Sequence, residues 1–154
     1  MTREPDGFLL CRAGSRLCAL PLADVAETMR PLPIDTLDGT PSFVAGVAVV
    51  RGAPVPVVDV RRLLGGAVHS APAARFVTVR IGTRRIALAF DSVLGVRRFD
   101  APADDGMPPL LQDAGAGVIS AIRALDAELL VVLEAARAVP DTLWAALEAT
   151  LGPS

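Results

Sequence analysis

A chain of 154 residues with a net charge of −2 is one domain's worth of sequence. It is long enough to bury roughly 68–70% of the surface its unfolded form exposes without a metal or disulfide framework. Hydrophobic residues make up 52% and aromatic residues 4%, so Val, Leu, Ile and Ala fill the core and base stacking on nucleic acid is disfavoured. No charged start precedes an apolar stretch and no run reaches about 18 apolar residues, which predicts a cytoplasmic, soluble protein without direct membrane insertion.

Along the chain, Met1 to Gly7 is polar. Phe8 to Ala13 alternates weakly, Gly14-Ser15 is a turn signal and Arg16 to Leu20 returns apolar, which predicts a β-hairpin stopped by Pro21. Cys11 and Cys18 flank that turn in an apolar setting and read as buried free thiols. Leu22 to Arg30 fits both a helical and an alternating period; we read a short turn at Leu22 to Asp24 and a strand from Val25 to Met29. Pro31, Pro33, Asp38-Gly39 and Pro41 make the next segment a loop. Val47 to Val50 and Val55 to Val58 are too rich in β-branched residues to prefer helix, and read as two buried strands. Arg51, Gly52 and Pro54 turn the chain between them, with a permanent cation at the corner. A polar cluster of Asp59, Arg61 and Arg62 follows, on a helical turn near Val60 to Leu64 that stops at Gly65-Gly66.

Val68 to Ala74 is a small-residue linker between two similar halves. An offset of 68 residues sets Gly14 to Leu20 against Gly82 to Leu88, and also matches Leu22 with Phe90, Val25 with Val93 and Arg30 with Arg98. Val55 to Asp59 resembles Leu130 to Glu134 at an offset of 75, the extra positions falling in the Pro- and Asp-rich segment Asp100 to Gly117. One domain over 1–154, with repeat units at 8–66 and 75–139, therefore predicts a mainly all-β fold of two small β-barrels in tandem, closed to avoid open edges. Asp141 caps a helix over 141–151 that carries Leu143, Trp144, Leu147 and Leu151 on one stripe and packs over a barrel.

Charge is uneven along the chain. From Arg51 to Arg98 there are nine arginines against Asp59 and Asp91, whereas from Phe99 onward nine acids face Arg123 and Arg137. Two faces of opposite sign favour oriented binding of protein partners over nucleic acid. A catalytic centre is hard to assemble. The single histidine, His69, lies in the linker, no serine occupies a Gly-rich elbow, and no clustered ligands or phosphate loop point to a metal or cofactor. A small β-barrel hydrolase would have to use Asp59 and Asp91 as paired carboxylates, although each ends a strand in its own unit.

Several ordered segments together carry a resemblance. Gly46-Val47-Ala48-Val49-Val50-Arg51-Gly52 followed by Val55-Pro56-Val57-Val58-Asp59-Val60-Arg61 resembles the CheW family signature, usually G-V-I-N-L-R-G, a short gap, then V-P-V-x-D-L-R. Ala19 to Leu22 with Val25-Ala26-Glu27 fits the family's A-L-P-L-x-x-V-x-E, Phe90 to Val96 fits its V-D-x-V-x-G-V, and Val118 to Glu134 fits its last hairpin. The sequence departs at Ala48, Val49, Thr28, Ala121 and Glu134.

The resemblance implies a non-enzymatic, cofactor-free scaffold that couples the cytoplasmic tip of a methyl-accepting chemoreceptor to a CheA-like histidine kinase, associated with membrane receptor arrays through its partners. It implies two five-stranded β-barrels around a shared apolar core. Arg51 and Glu27, with Val25 and Thr28, would bind the receptor; Val93, Gly95 and Val96 would meet the kinase. Arg51 also has a plainer reading, a cation that pairs with a local carboxylate to fix its turn. A kinase-only module of a divergent chemosensory system is the alternative that the departures keep open.

Overall fold

The computed structural model describes residues 6–65, 73–99, 119–125, 128–133, 139, 144 and 145. His69, the segment Asp100 to Gly117 and Glu134 lie outside them.

The two glycine turns seen in the sequence open equivalent hairpins. Gly14 and Gly82 take φ of 60° and 62° and are followed by residues of ordinary φ. That is the type II′ geometry whose twist suits a two-residue β connection. Gly14-Ser15 joins β1 (Asp6–Ala13) to β2 (Arg16–Pro21), and Gly82-Thr83 joins β6 (Arg75–Ile81) to β7 (Arg84–Phe90). A single 3₁₀ turn, Leu22–Asp24, leads from β2 into β3 (Val25–Met29). The two valine runs form β4 (Val44–Val50) and β5 (Ala53–Asp59), and the chain then enters the one-turn helix α1 (Val60–Leu63). Asp59 caps α1 by accepting from the Arg61 amide at 3.1 Å, and Gly65, at φ 80°, follows its end. β8 (Ser92–Phe99), β9 (Ile119–Leu125) and β10 (Glu128–Leu133) complete the strands.

Two five-stranded sheets result, in the orders β8-β1-β2-β10-β9 and β3-β6-β7-β5-β4. Each sheet takes strands from both halves of the chain, which corrects the expectation of a barrel per repeat unit. The offsets hold nonetheless, applied across the halves. Val57 lies opposite Ala87 in the second sheet, and its repeat equivalent Val132 lies opposite Ala19 in the first. Val25 opposes Val79 and, equivalently, Val93 opposes Cys11. The exchange has a local cause: the short turn after β2 and Asp91 after β7 each carry the chain into the other sheet.

Expected closure is also corrected. The ladders of the two sheets end on β8 and β9 and on β3 and β4 among the described residues, so neither sheet closes by backbone pairing. The β4 edge is covered instead by a bridge from the loop, in which the Asp35 and Val47 amides each donate to the other's carbonyl at 2.8 Å. A covered edge offers no template for pairing with another chain.

One apolar core lies between the sheets. Leu9, Cys11 and Leu20 of the first sheet meet Val58, Val79, Leu88 and Phe90 of the second, with Leu133 and Trp144 in the same cluster. Ala48, Val50, Val55, Val57, Phe76, Ala87 and Ala89 form a second cluster on the other face of the second sheet. Cys11 and Cys18 are directly opposed, fully buried and free, as expected. Burial pushes both thiols up to about 12. Of the expected C-terminal helix, Trp144 and Ala145 are described and helical; the remainder lies outside the described residues. Trp144 is buried and the Arg84 guanidinium stands 4.8 Å from its ring centre.

Candidate functional site

Arg51 and Gly52 occupy the two central positions of the β4–β5 turn with φ of 50° and 80°. Positive φ at both positions is the type I′ turn, which Asn-Gly and Gly-Gly fill most readily. Arg51 is the one non-glycine residue with positive φ among the described residues. A long side chain on a left-handed backbone is a local cost that the sheet imposes. It leaves the guanidinium on an exposed corner, where the side chain is 72% accessible.

Across from that corner stands Glu27. Arg51 Nε donates to Glu27 Oε1 at 2.8 Å and Nη2 donates to Oε2 at 2.7 Å, a bidentate fork. The hydrogen bond from Arg51 holds the Glu27 carboxyl below the usual carboxylate range, and the same bond raises the Arg51 guanidinium further. The plainer reading of Arg51 therefore holds: it pairs with a carboxylate at its turn, and that carboxylate is Glu27, the other charged residue expected at the site.

The pair does more than decorate a turn. Glu27 belongs to β3 and Arg51 follows β4, the two strands at opposite edges of the second sheet. The sheet has curled until its edges face each other, and the ion pair spans the seam that the backbone ladder leaves open. A bulge makes this geometry available. The β3–β6 register slips between Val25 and Glu27, so Val25 opposes Val79 whereas Glu27 opposes Thr78. Directly opposed residues share a face, and a bulge re-aims the side chain that follows it. Val25 consequently packs, half-buried, against the inter-sheet core, while Glu27 turns to the other face. Thr28 is exposed and opposes Val77, on the face of Val25. The structure thus joins Glu27 to Arg51 and separates Val25 and Thr28 from them.

Gly46 supports the same corner from below. Its φ of 147° is outside the range of ordinary residues, and a Cβ there would overlap the Asp35 carbonyl oxygen and lie 2.8 Å from its carbonyl carbon. The glycine that opens the valine-rich motif is therefore required by the Asp35 bridge on β4. Val49, two residues before Arg51, is 63% exposed, an apolar side chain facing solvent beside the site.

The remaining predicted residues belong to the other sheet. Val93 opposes Cys11 and packs half-buried against the inter-sheet core; Gly95, at φ 127°, opposes Leu10. Val96 opposes Leu9 but is 52% exposed because β8 is an edge strand, and Leu94, the bulged residue, is equally exposed. An edge that presents two large apolar side chains to water is suited to contact with another protein.

Asp59 and Asp91 come together, with a cation between them. Arg61, only 7% exposed, reaches Asp59 Oδ1 with Nε at 3.5 Å and Asp91 Oδ1 with Nη1 at 3.2 Å. Asp91 also accepts from the Gly14 amide, and its own amide donates to the Arg12 carbonyl at 2.8 Å. Paired-carboxylate catalysis needs two acids that push their proton affinities apart. Here Arg61 bridges both and Arg62 Nε also lies 3.6 Å from Asp59 Oδ2, so the two acids serve as ion-pair partners, and the group clamps the second sheet to the β1–β2 hairpin of the first. Sequence reasoning missed this role of Arg61. Its signal was an arginine two residues after the aspartate that ends an apolar strand, a position where burial demands a carboxylate partner.

Comparison with known proteins gives one answer at several levels. The family model for the CheW-like domain matches residues 7–142. Protein FrzA of Myxococcus xanthus is 35% identical over 124 residues, covering 77% of this chain and 77% of that protein. The crystal structure of the scaffolding protein TtCheW from Thermoanaerobacter tengcongensis superposes with a TM-score of 0.70 at 22% identity, over 84% of this chain and 88% of that one. At that identity the superposition establishes the fold.

Proposed function

The chain belongs to the CheW-like domain family, and from that premise we propose that it is a non-enzymatic adaptor coupling a chemoreceptor to a CheA-type histidine kinase. The observation that carries this reading is the Glu27–Arg51 fork on a strained, exposed corner. Strain kept at a surface turn is a mark of use. The Glu27 carboxylate holds the guanidinium in a single pose, so less side-chain freedom remains to be lost when a partner docks. A receptor tip is helical, and its carboxylates or free carbonyls would take charge-assisted hydrogen bonds from the outer edge of Arg51 while Val49 offers apolar contact.

The kinase would bind the other sheet, through the β8 edge with Val93, Gly95 and Val96. Two docking sites on two sheets suit an adaptor, because both partners are held at once by a rigid body that shares one core. No helix among the described residues is long and apolar enough to cross a membrane. Association with a membrane array would run through the receptor.

Co-precipitation with receptor and kinase fragments, comparing the wild type with Arg51→Ala, tests the assignment. Receptor binding should fall and kinase binding should persist. Undiminished receptor binding in the variant would remove Arg51 as an anchor and leave a kinase-only module.

A further inference from the structure

Two arginines outside the motif stand where a sheet normally avoids them. Arg80 on β6 and Arg85 on β7 are directly opposed, both exposed. Like charges directly opposite across strands are destabilising. Neither side chain makes an ion pair or a hydrogen bond among the described residues. Their face is set by the register. Thr78 opposes both Glu27 and Ala87. Arg80 and Arg85 lie two residues beyond Thr78 and Ala87, so alternation puts them on the same face as Glu27. Along that face β6 runs from buried Phe76 and Thr78 to exposed Arg80, and β7 from buried Ala89 and Ala87 to exposed Arg85. The curled sheet opens to solvent at this end. The Arg51 hydrogen bond does most to hold the Glu27 carboxyl down and the charge of Arg85 adds to it, in keeping with the face that the register gives them.

We infer that Arg51, Arg80 and Arg85 form a basic mouth around Glu27 that receives the carboxylates of an acidic helical segment of the receptor. The inference rests on the receptor-docking reading and extends it to two residues that the motif does not include. Three arginines and one carboxylate share this end of the face, and only Arg51 is paired with that carboxylate, which leaves two positive charges unmatched. The three are spread over two strands and a separate turn, a span suited to several carboxylates on a helix face rather than to one small anion. Unmatched guanidinium groups seek planar, bidentate acceptors, and carboxylates match them. The like-charge cost carried by free Arg80 and Arg85 is relieved when such acceptors arrive, so the site favours its bound form.

The test measures binding to the cytoplasmic signalling fragment of a chemoreceptor from the same genome, with poly-L-glutamate and a single-stranded oligonucleotide as probes. The full chain is compared with Arg80→Gln/Arg85→Gln, Arg80→Lys/Arg85→Lys and Arg51→Ala. The double glutamine variant should bind the receptor fragment and poly-L-glutamate about tenfold more weakly at low salt, with a flatter salt dependence. It should retain kinase-fragment binding and melt no lower than the wild type. The double lysine variant should recover part of the affinity. Receptor binding lost in Arg51→Ala but unchanged in the double glutamine variant would overturn this inference and keep the docking reading. No change in either variant would overturn both. An oligonucleotide bound as tightly as poly-L-glutamate would overturn the carboxylate assignment.

Discussion

Placing a methyl group on Gly46 tests how the Arg51 corner is supported. In Gly46→Ala the new Cβ overlaps the Asp35 carbonyl oxygen and comes within 2.8 Å of the Ile34 Cγ2, so the loop must leave β4. That forfeits the two reciprocal hydrogen bonds between Asp35 and Val47, roughly 0.5–1.5 kcal/mol each. A side chain held at φ 147° adds about 1–3 kcal/mol of backbone strain. The loss is therefore about 2–6 kcal/mol, on the order of 10 °C in Tm for a chain of this size. Gly39→Ala and Gly52→Ala are the controls. Both positions have positive φ but nothing within 4 Å of the added carbon, so each should cost only about 1–2 kcal/mol. Urea denaturation gives the free energies, and amide exchange at Asp35 and Val47 reports the bridge. A Gly46→Ala protein that loses under about 1 kcal/mol and keeps both amides protected would refute the reasoning.

Other expectations follow from the buried polar groups and the ion pair. Arg61→Met removes the cation between Asp59 and Asp91 and should cost about 3 kcal/mol, at the lower end for a broken buried pair because Asp91 is partly exposed; equal stability by denaturation would show that the clamp is ornamental. Cys11 and Cys18, with thiols pushed up to about 12, should resist an aromatic disulfide reagent at about pH 8 in the native protein and react only when denatured. Rapid labelling of either native thiol would contradict their burial. Glu27 is depressed in the folded protein, so its contribution is present above the ordinary glutamate range and lost as pH falls through its lowered value. Carboxyl NMR should place its titration below that of other glutamates, and Arg51→Ala should return it to the ordinary range; an unchanged titration in the variant would deny the coupling.

Local pattern made much of this molecule legible. Gly14 and Gly82 announced equivalent turns because a II′ hairpin needs the conformation glycine supplies, and the valine runs became strands where they were expected. The repeat was visible, but its pairing was not. Hydrophobic alternation says which face a strand buries and is silent on which half of the chain supplies the neighbour, so it leaves β2 with its own unit, whereas Ala19 opposes Val132 of the other half. The same limit applies to the site. Arg51 and Glu27 were marked by motif, whereas the separation of Val25 and Thr28 from Glu27 depends on a bulge at Ala26 that alternating period alone does not reveal. Arg80 and Arg85 sit on either side of a turn with the ordinary look of solvated charge; only the register shows them facing one another.

The exchange of strands between halves also sets an order of events during synthesis. The first hairpin, β1–β2, leaves the ribosome long before β8 and β10, the strands that flank it. Its pairing must wait for the end of the chain, and the waiting hairpin offers two unsatisfied edges. The second sheet needs only β3 to β7 and can assemble earlier, presenting one face of what becomes the common core. A nascent chain would then carry the Arg51 corner before the β8 edge is anchored on β1. Severing the linker should likewise yield two fragments that regain structure only together, each completing the sheets of the other.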